Sequence, residues 1–267
     1  MNASAASLLR SLAIRQFASI GVKLAATLAA NGGDSRKIQN EILLGLPRKE
    51  GTSILKKSKF VPLPARTVLT EMSDPIEFCY FLNSGVVSII HVMTDGKSVE
   101  VGLTGKEGFV GLPRIVGYST SPTRAIIQIE ATGYKIRAKD LKNSLVNCPG
   151  LEEGLHRYSQ ELSIQAIQIA ACNRLHEVDE RLARWLLMSQ DRVGESTFPL
   201  TQEFISHMLG TRRASVTVAA GILQKAGLIT YSRGQVTIEN RAGLESAACE
   251  CCEGINQKIE RWHRDSR

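Results

Sequence analysis

The hydrophobic pattern changes period part-way along the chain, and that change sets the architecture. From about Phe60 to Ile136 the apolar residues fall in short runs rich in Val and Ile: Phe78–Leu82, Gly85–Val92, Ser98–Leu103 and Ala125–Ile129. Turn signals separate them at Asn83-Ser84-Gly85, Asp95-Gly96, Gly105–Gly108 and Thr132-Gly133. Short strands of this kind predict a sandwich, jelly roll or barrel. From Leu151 the spacing becomes helical. Leu155, Tyr158, Leu162, Gln165, Ile169 and Cys172 follow a 3-4-3-4-3 rhythm and share one helix stripe. Such a stripe serves either core packing or a coiled-coil seam, with Gln165 as a polar register point. A second amphipathic helix is predicted over about His176–Ser189. The chain is therefore α+β. Its 267 residues, 43% hydrophobic, suffice for two compact domains.

The chemistry concentrates after Phe198. Thr201 can cap a helix whose apolar residues are Phe204, Ile205, Met208 and Leu209, and Gly210 ends it. A second helix is expected to open at Thr211, burying Val216, Ala219, Ala220 and Leu223 and exposing Arg212, Arg213, Ala214, Ser215 and Thr217. Leu228–Ile238 then reads as strand, Arg233-Gly234 turn, strand. Two short helices joined through one glycine, followed by a small hairpin, form a winged helix-turn-helix signature. The amino-terminal half of its second helix reaches base edges in a major groove, and arginine forks suit guanine there. Two arginines at a helix start are unfavourably placed against the helix dipole, which argues for a role beyond folding. The candidate DNA-binding residues are Thr201, Gln202, Thr211, Arg212, Arg213, Ser215, Thr217 and Arg233. A net charge of +7 agrees with a phosphate-bearing partner.

The order of parts resembles the Crp–Fnr family of bacterial regulators, over about residues 38–250. The closest local matches are Phe81–Val87, Gly108–Leu112, Leu200–Ile229 and the Arg233-Gly234 wing. The resemblance implies a cyclic-nucleotide-binding-like jelly roll (a double-stranded β-helix) over 38–148, a dimerisation helix over 149–175 and a winged helix-turn-helix over 176–250. It implies a cytoplasmic homodimer bound to double-stranded DNA, for which RNA polymerase is a candidate partner. It also gives the Leu155, Tyr158, Leu162, Gln165, Ile169 and Cys172 stripe the meaning of a dimer seam. Thr201 and Gln202 match positions that contact phosphate, and Arg212 and Arg213 match the opening of the recognition helix. Ala214 and Val218 stand where well-known members carry Glu and Arg, so a different half-site is expected.

The effector site does not carry over. Cyclic-nucleotide binders of this fold hold the ribose with the Glu of a Gly-Glu-Leu turn and the phosphate with the Arg of an Arg-Ser or Arg-Thr pair. This chain has Gly111-Leu112-Pro113 and Pro122-Thr123-Arg124-Ala125, with the arginine one place out of register. Cyclic nucleotide is therefore not expected, nor is any other cofactor. No cysteine precedes Cys79, so the family's amino-terminal iron–sulfur cluster is not expected, and His91 is the single histidine of the β region open to haem. Cys249 and Cys252 have CxxC spacing, but no second pair or nearby histidine set completes a tetrahedron, so no metal is expected. Residues 251–267 are expected as a tail.

Residues 1–37 are expected as a poorly ordered extension or an amphipathic helix; Arg10, Arg15 and Lys23 occur there without an acid before Asp34. No run is long enough for a membrane helix. No catalytic set stands out: Gly105, Gly108 and Gly111 lack the helix a nucleotide loop needs. An enzyme is not expected, and the competing reading is a ligand-sensing module whose carboxy-terminal helices bind a protein partner.

Overall fold

The computed structural model describes residues 37–265; the expectation for the amino-terminal extension falls almost wholly outside them. Two helices, α1 (Glu41–Gly45) and α2 (Arg48–Lys57), lead into a six-stranded sheet. The strands are β1 (Ser58–Leu63), β2 (Val68–Thr70), β3 (Phe78–Val92), β4 (Ser98–Thr104), β5 (Phe109–Val110) and β6 (Arg124–Arg137). The order is β1-β6-β3-β4, with β2 on β6 and β5 on β3, and the paired strands are antiparallel. Asn40 fastens α1 to this roll. Its Oδ1 accepts from Leu43 N at 3.0 Å, and its Nδ2 donates to the carbonyls of Leu82 and Gly108, each at 2.8 Å.

The long strands β3 and β6 correct the sequence expectation. Asn83-Ser84-Gly85 and Thr132-Gly133 are not turns. They lie inside strands that run through them, and the β3–β6 register shifts at Ser84 and Val86. Gly85 sits at φ +76° within this irregularity. A β-bulge uses the same residues as a turn but bends the strand instead of reversing it. Leu63, Leu82, Val87, Val110, Ala125, Ile127 and Ala131 fill the roll with apolar side chains.

Helix α3 (Ala138–Leu145) leads to the long helix α4 (Pro149–Leu175) and then to α5 (Val178–Val193). The winged domain follows as β7 (Thr197–Pro199), α6 (Gln202–Met208), α7 (Arg213–Lys225), β8 (Ile229–Ser232), β9 (Gln235–Ile238) and α8 (Arg241–Ala247). The segment expected as a tail forms a further helix, α9 (Cys251–Asp265), whose Cys251 and Ile255 are buried. None of the helices is long and apolar enough to cross a membrane, among the described residues.

The stripe on α4 faces inward. Leu155, Tyr158, Gln165, Ile169 and Cys172 are 5% exposed or less within this one chain, and Leu162 packs on Gly102. The Tyr158 hydroxyl is 2.6 Å from Thr104 Oγ1, and Gln165 Oε1 accepts from Leu103 N. The expected dimer seam is thus enclosed within the chain, by the roll around Tyr158, Leu162 and Gln165 and by Cys249 and Cys251 around Cys172. The opposite side of α4 is the free one, with Ile167 70% and Leu175 72% exposed beside exposed Ala170 and Ala171. Periodicity finds an apolar stripe but does not say which surface covers it.

Candidate nucleic-acid interface

The helix pair is built as the sequence requires, with one shift. Thr201 caps α6 by accepting from Phe204 N at 3.2 Å. Gly210, at φ +59°, then turns the chain, a conformation that costs a residue with a side chain. Thr211 belongs to this turn and not to the second helix; its N–H donates to Ser206 O at 3.0 Å. Helix α7 opens at Arg213 with Arg212 as its cap residue. Val216, Ala219, Ala220 and Leu223 are buried, as expected, against one continuous core that includes Leu182, Trp185, Leu186, Ile205 and Ile229.

The outward side of α7 carries the chemistry. Arg212, Arg213, Ala214 and Thr217 are exposed, and Ser215 is half-buried. No side chain caps this helix and no acid lies in its first turn. Among the described residues, neither Arg212 nor Arg213 takes part in an ion pair. Unpaired guanidinium groups beside free amide N–H groups at the positive end of a helix dipole form a site for anions. The Thr217 hydroxyl lies 3.1 Å from both Gln202 Oε1 and Arg213 O and shares its one proton between them, so it links α7 to α6. Val218 and Ile222, 64% and 46% exposed, extend the outward side with methyl groups. In the sequence Val218 stands out only as a departure from the family pattern, and Ile222 follows it one helical turn on, the spacing that marks both as one face.

The wing is a two-residue hairpin. Ser232 pairs with Gln235, and Arg233 and Gly234 take φ +50° and +76°. Two positive φ values in sequence match the twist of the flanking strands. Arg233 is exposed at the tip. Two bonds anchor the wing: Tyr231 N donates to Gln224 Oε1 of α7 at 2.9 Å, and the Tyr231 hydroxyl to Leu200 O, just ahead of α6, at 2.9 Å.

This exposed helix with its wing matches a family model directly: residues 180–247 match the Crp-like helix-turn-helix domain, and residues 60–147 match the cyclic nucleotide-binding domain. The chain belongs to the Crp–Fnr family. It is a DNA-binding transcription regulator. Among solved structures, FixK2 from Bradyrhizobium japonicum superposes at a TM-score of 0.62 and 16% identity, over 72% of this chain and 98% of that one. The c-di-GMP-responsive regulator CLP from Xanthomonas campestris gives 0.61 and 19%, over 72% and 99%. A putative Crp–Fnr regulator from Eubacterium rectale gives 0.59 and 16%, over 78% and 98%. At these identities the likeness is one of fold. No curated protein sequence matches the chain.

In this Crp–Fnr regulator the roll and the winged domain touch directly. Val99 of β4 packs on Gly210, and Ser98 Oγ lies 3.3 Å from His207 Nδ1. Trp185 Nε1 donates to Glu100 Oε1 at 3.0 Å. Burial pushes the Glu100 carboxyl up to about 7, against the opposing pull of Ser88, Arg184 and Trp185. Arg192 Nε bonds Glu107 Oε1 at 2.8 Å. Near the effector position of the fold, Arg124 Nε bonds both oxygens of Glu71 at 2.9 Å. That hydrogen bond holds the Glu71 carboxyl below its ordinary range, although burial opposes it. His91 is exposed.

Proposed function

We propose that this regulator works as a homodimer that places the amino-terminal half of α7 in successive major grooves of a roughly palindromic site. The half-sites would lie about 34 Å apart, one duplex turn. The observation that carries this reading is the unpaired Arg212–Arg213 pair, exposed at an uncapped helix start beside an exposed wing arginine. Arg213 reads a base, Arg212 and Arg233 neutralise phosphates, and Val218 with Ile222 offers methyl contacts suited to thymine. Thr201, Gln202, Thr211, Ser215 and Thr217 flank these contacts. The seam is the free side of α4 centred on Ile167 and Leu175, not the inward stripe.

The roll acts without a cyclic nucleotide in this reading. Leu112 stands in place of the ribose-binding Glu, and the nearby Arg124 is already engaged by Glu71. The role has no enzymatic step, and the regulator works in the cytoplasm, where RNA polymerase is a candidate partner.

The test is to sequence the genomic DNA fragments that the full chain retains and to repeat binding across salt concentrations. A shared palindrome is expected, with affinity falling steeply as salt rises because bound phosphates release counterions. Retention of no fragment at low salt would favour a protein partner for the helices instead. Ile167→Asp should yield a monomer by light scattering, while an intact dimer would move the seam elsewhere.

A further inference from the structure

The fold brings together four side chains that the DNA-binding reading does not use. Cys172 closes the last turn of α4, and His176 lies in the link to α5. Cys249 and Cys251 follow the winged domain, with Cys251 opening α9. Their Sγ and ring nitrogen atoms all lie within 4.8 Å of one another. Cys172 Sγ is 3.4 Å from Cys249 Sγ, and Cys251 Sγ is 3.5 Å from His176 Nδ1.

We infer that Cys172, His176, Cys249 and Cys251 form a tetrahedral Cys3His site for one zinc ion. Zinc–ligand bonds of about 2.0–2.3 Å put the ligands about 3.5–3.8 Å apart, close to the spacings found. Atoms this near one another enclose a single ion and leave no room for the several irons and sulfides of a cluster. Three thiolates and an imidazole in a tetrahedron favour zinc over the harder ions. The three thiols are 5% exposed or less, as in closed structural sites, which keep no open coordination position.

The surroundings are those of a metal site. His176 Nε2 lies 3.2 Å from Glu250 Oε2, so a carboxylate can fix the ring with Nδ1 facing the ion. Gln168 Nε2 donates to Cys251 Sγ at 3.1 Å. Arg181 and Arg184 are buried, and each has a guanidinium Nε without a hydrogen-bond partner. Both act electrostatically on Cys172, as counter-charges for a zinc–thiolate group of net negative charge. Zinc would therefore pin the end of the winged domain and the start of α9 to the hinge between α4 and α5.

The test is the metal content of the full chain, purified with reductant, incubated with zinc and freed of excess by gel filtration. About one zinc per chain is expected. Cys249→Ser and His176→Ala should each retain less than a tenth of it, while Cys148→Ser, far from the site, keeps it. Cobalt in place of zinc in the wild type should give the intense visible bands of tetrahedral cobalt and a thiolate charge-transfer band. The wild type suffices if a variant does not fold. Absence of stoichiometric zinc in the wild type would overturn the inference. So would a Cys172–Cys249 disulfide in the freshly isolated chain, or octahedral cobalt spectra.

Discussion

The arginines of the carboxy-terminal half divide into two sets. Arg181, Arg184 and Arg192 point inward from α5 and bond Leu209 O, Met188 Sδ and Glu107 respectively. Arg212, Arg213 and Arg233 stand exposed on the winged domain. The first set is spent on internal contacts, of which Arg192–Glu107 joins the winged domain to the roll; the second is left for a ligand. Residue type is the same in both, so burial and partners, not charge, separate scaffold from site. The division predicts that the inner set controls stability and the outer set controls affinity, with little crossover.

The strongest check is Arg192→Ala. It leaves Glu107, 27% exposed, without its partner across the roll–helix contact, and removing one member of a largely buried pair is costly. A loss of about 3 kcal/mol in denaturant unfolding is expected. A loss below 1 kcal/mol would mean that Arg192 belongs with the exposed set. Arg213→Ala should do the reverse. Unfolding should change by less than about 0.5 kcal/mol, while specific DNA affinity falls by about 2 kcal/mol, roughly thirtyfold. Equal losses on specific and non-specific DNA would reduce Arg213 to a phosphate contact.

Glu100 tests whether the inner set tolerates a charge beside it. Its folded-state pKa, about 7, lies above the ordinary 4.5 because burial disfavours the carboxylate. A carboxyl raised in this way contributes fully below pH 4.5, and its contribution is lost as pH rises through about 7. Glu100→Gln keeps an acceptor for Trp185 Nε1 and removes that loss. At pH 8 the variant should be more stable by about 1–2 kcal/mol, and at pH 4.5 no more stable than the wild type. Parallel pH profiles would show that Glu100 is ionised inside the fold.

The two sets were not equally legible. The exposed one was, because Gly210, Arg212-Arg213 and Arg233-Gly234 lie within 25 residues and each fixes its own local conformation. The shift of the second helix start from Thr211 to Arg213 is small beside that. The strands were less legible, since Asn83-Ser84-Gly85 suits a bulge as well as a turn. The α4 stripe had a clear period and an ambiguous partner. The thiol–imidazole cluster was half legible: the Cys249 end showed as a CxxC spacing, but Cys172 lies 77 residues away from Cys249 and only the fold brings it and His176 alongside. Local chemistry is written locally; contacts between distant segments are not.

Thr201 gives the smallest effect and the finest separation of scaffold from site, since it is expected to serve both. Its hydroxyl caps α6 by accepting from Phe204 N, and it is one of the residues proposed to flank the phosphates. Thr201→Ala removes both functions and so cannot tell them apart; its stability cost should be about 1 kcal/mol, or 2–4 °C in Tm. Thr201→Asp can. Aspartate caps a helix as well as threonine does and complements the dipole, so the variant should unfold like the wild type. Its carboxylate would meet any phosphate lying against the start of α6 and weaken binding, most at low salt, where screening is least. If Thr201→Asp binds DNA like the wild type at low ionic strength, the start of α6 lies off the duplex and Thr201 belongs to the scaffold alone.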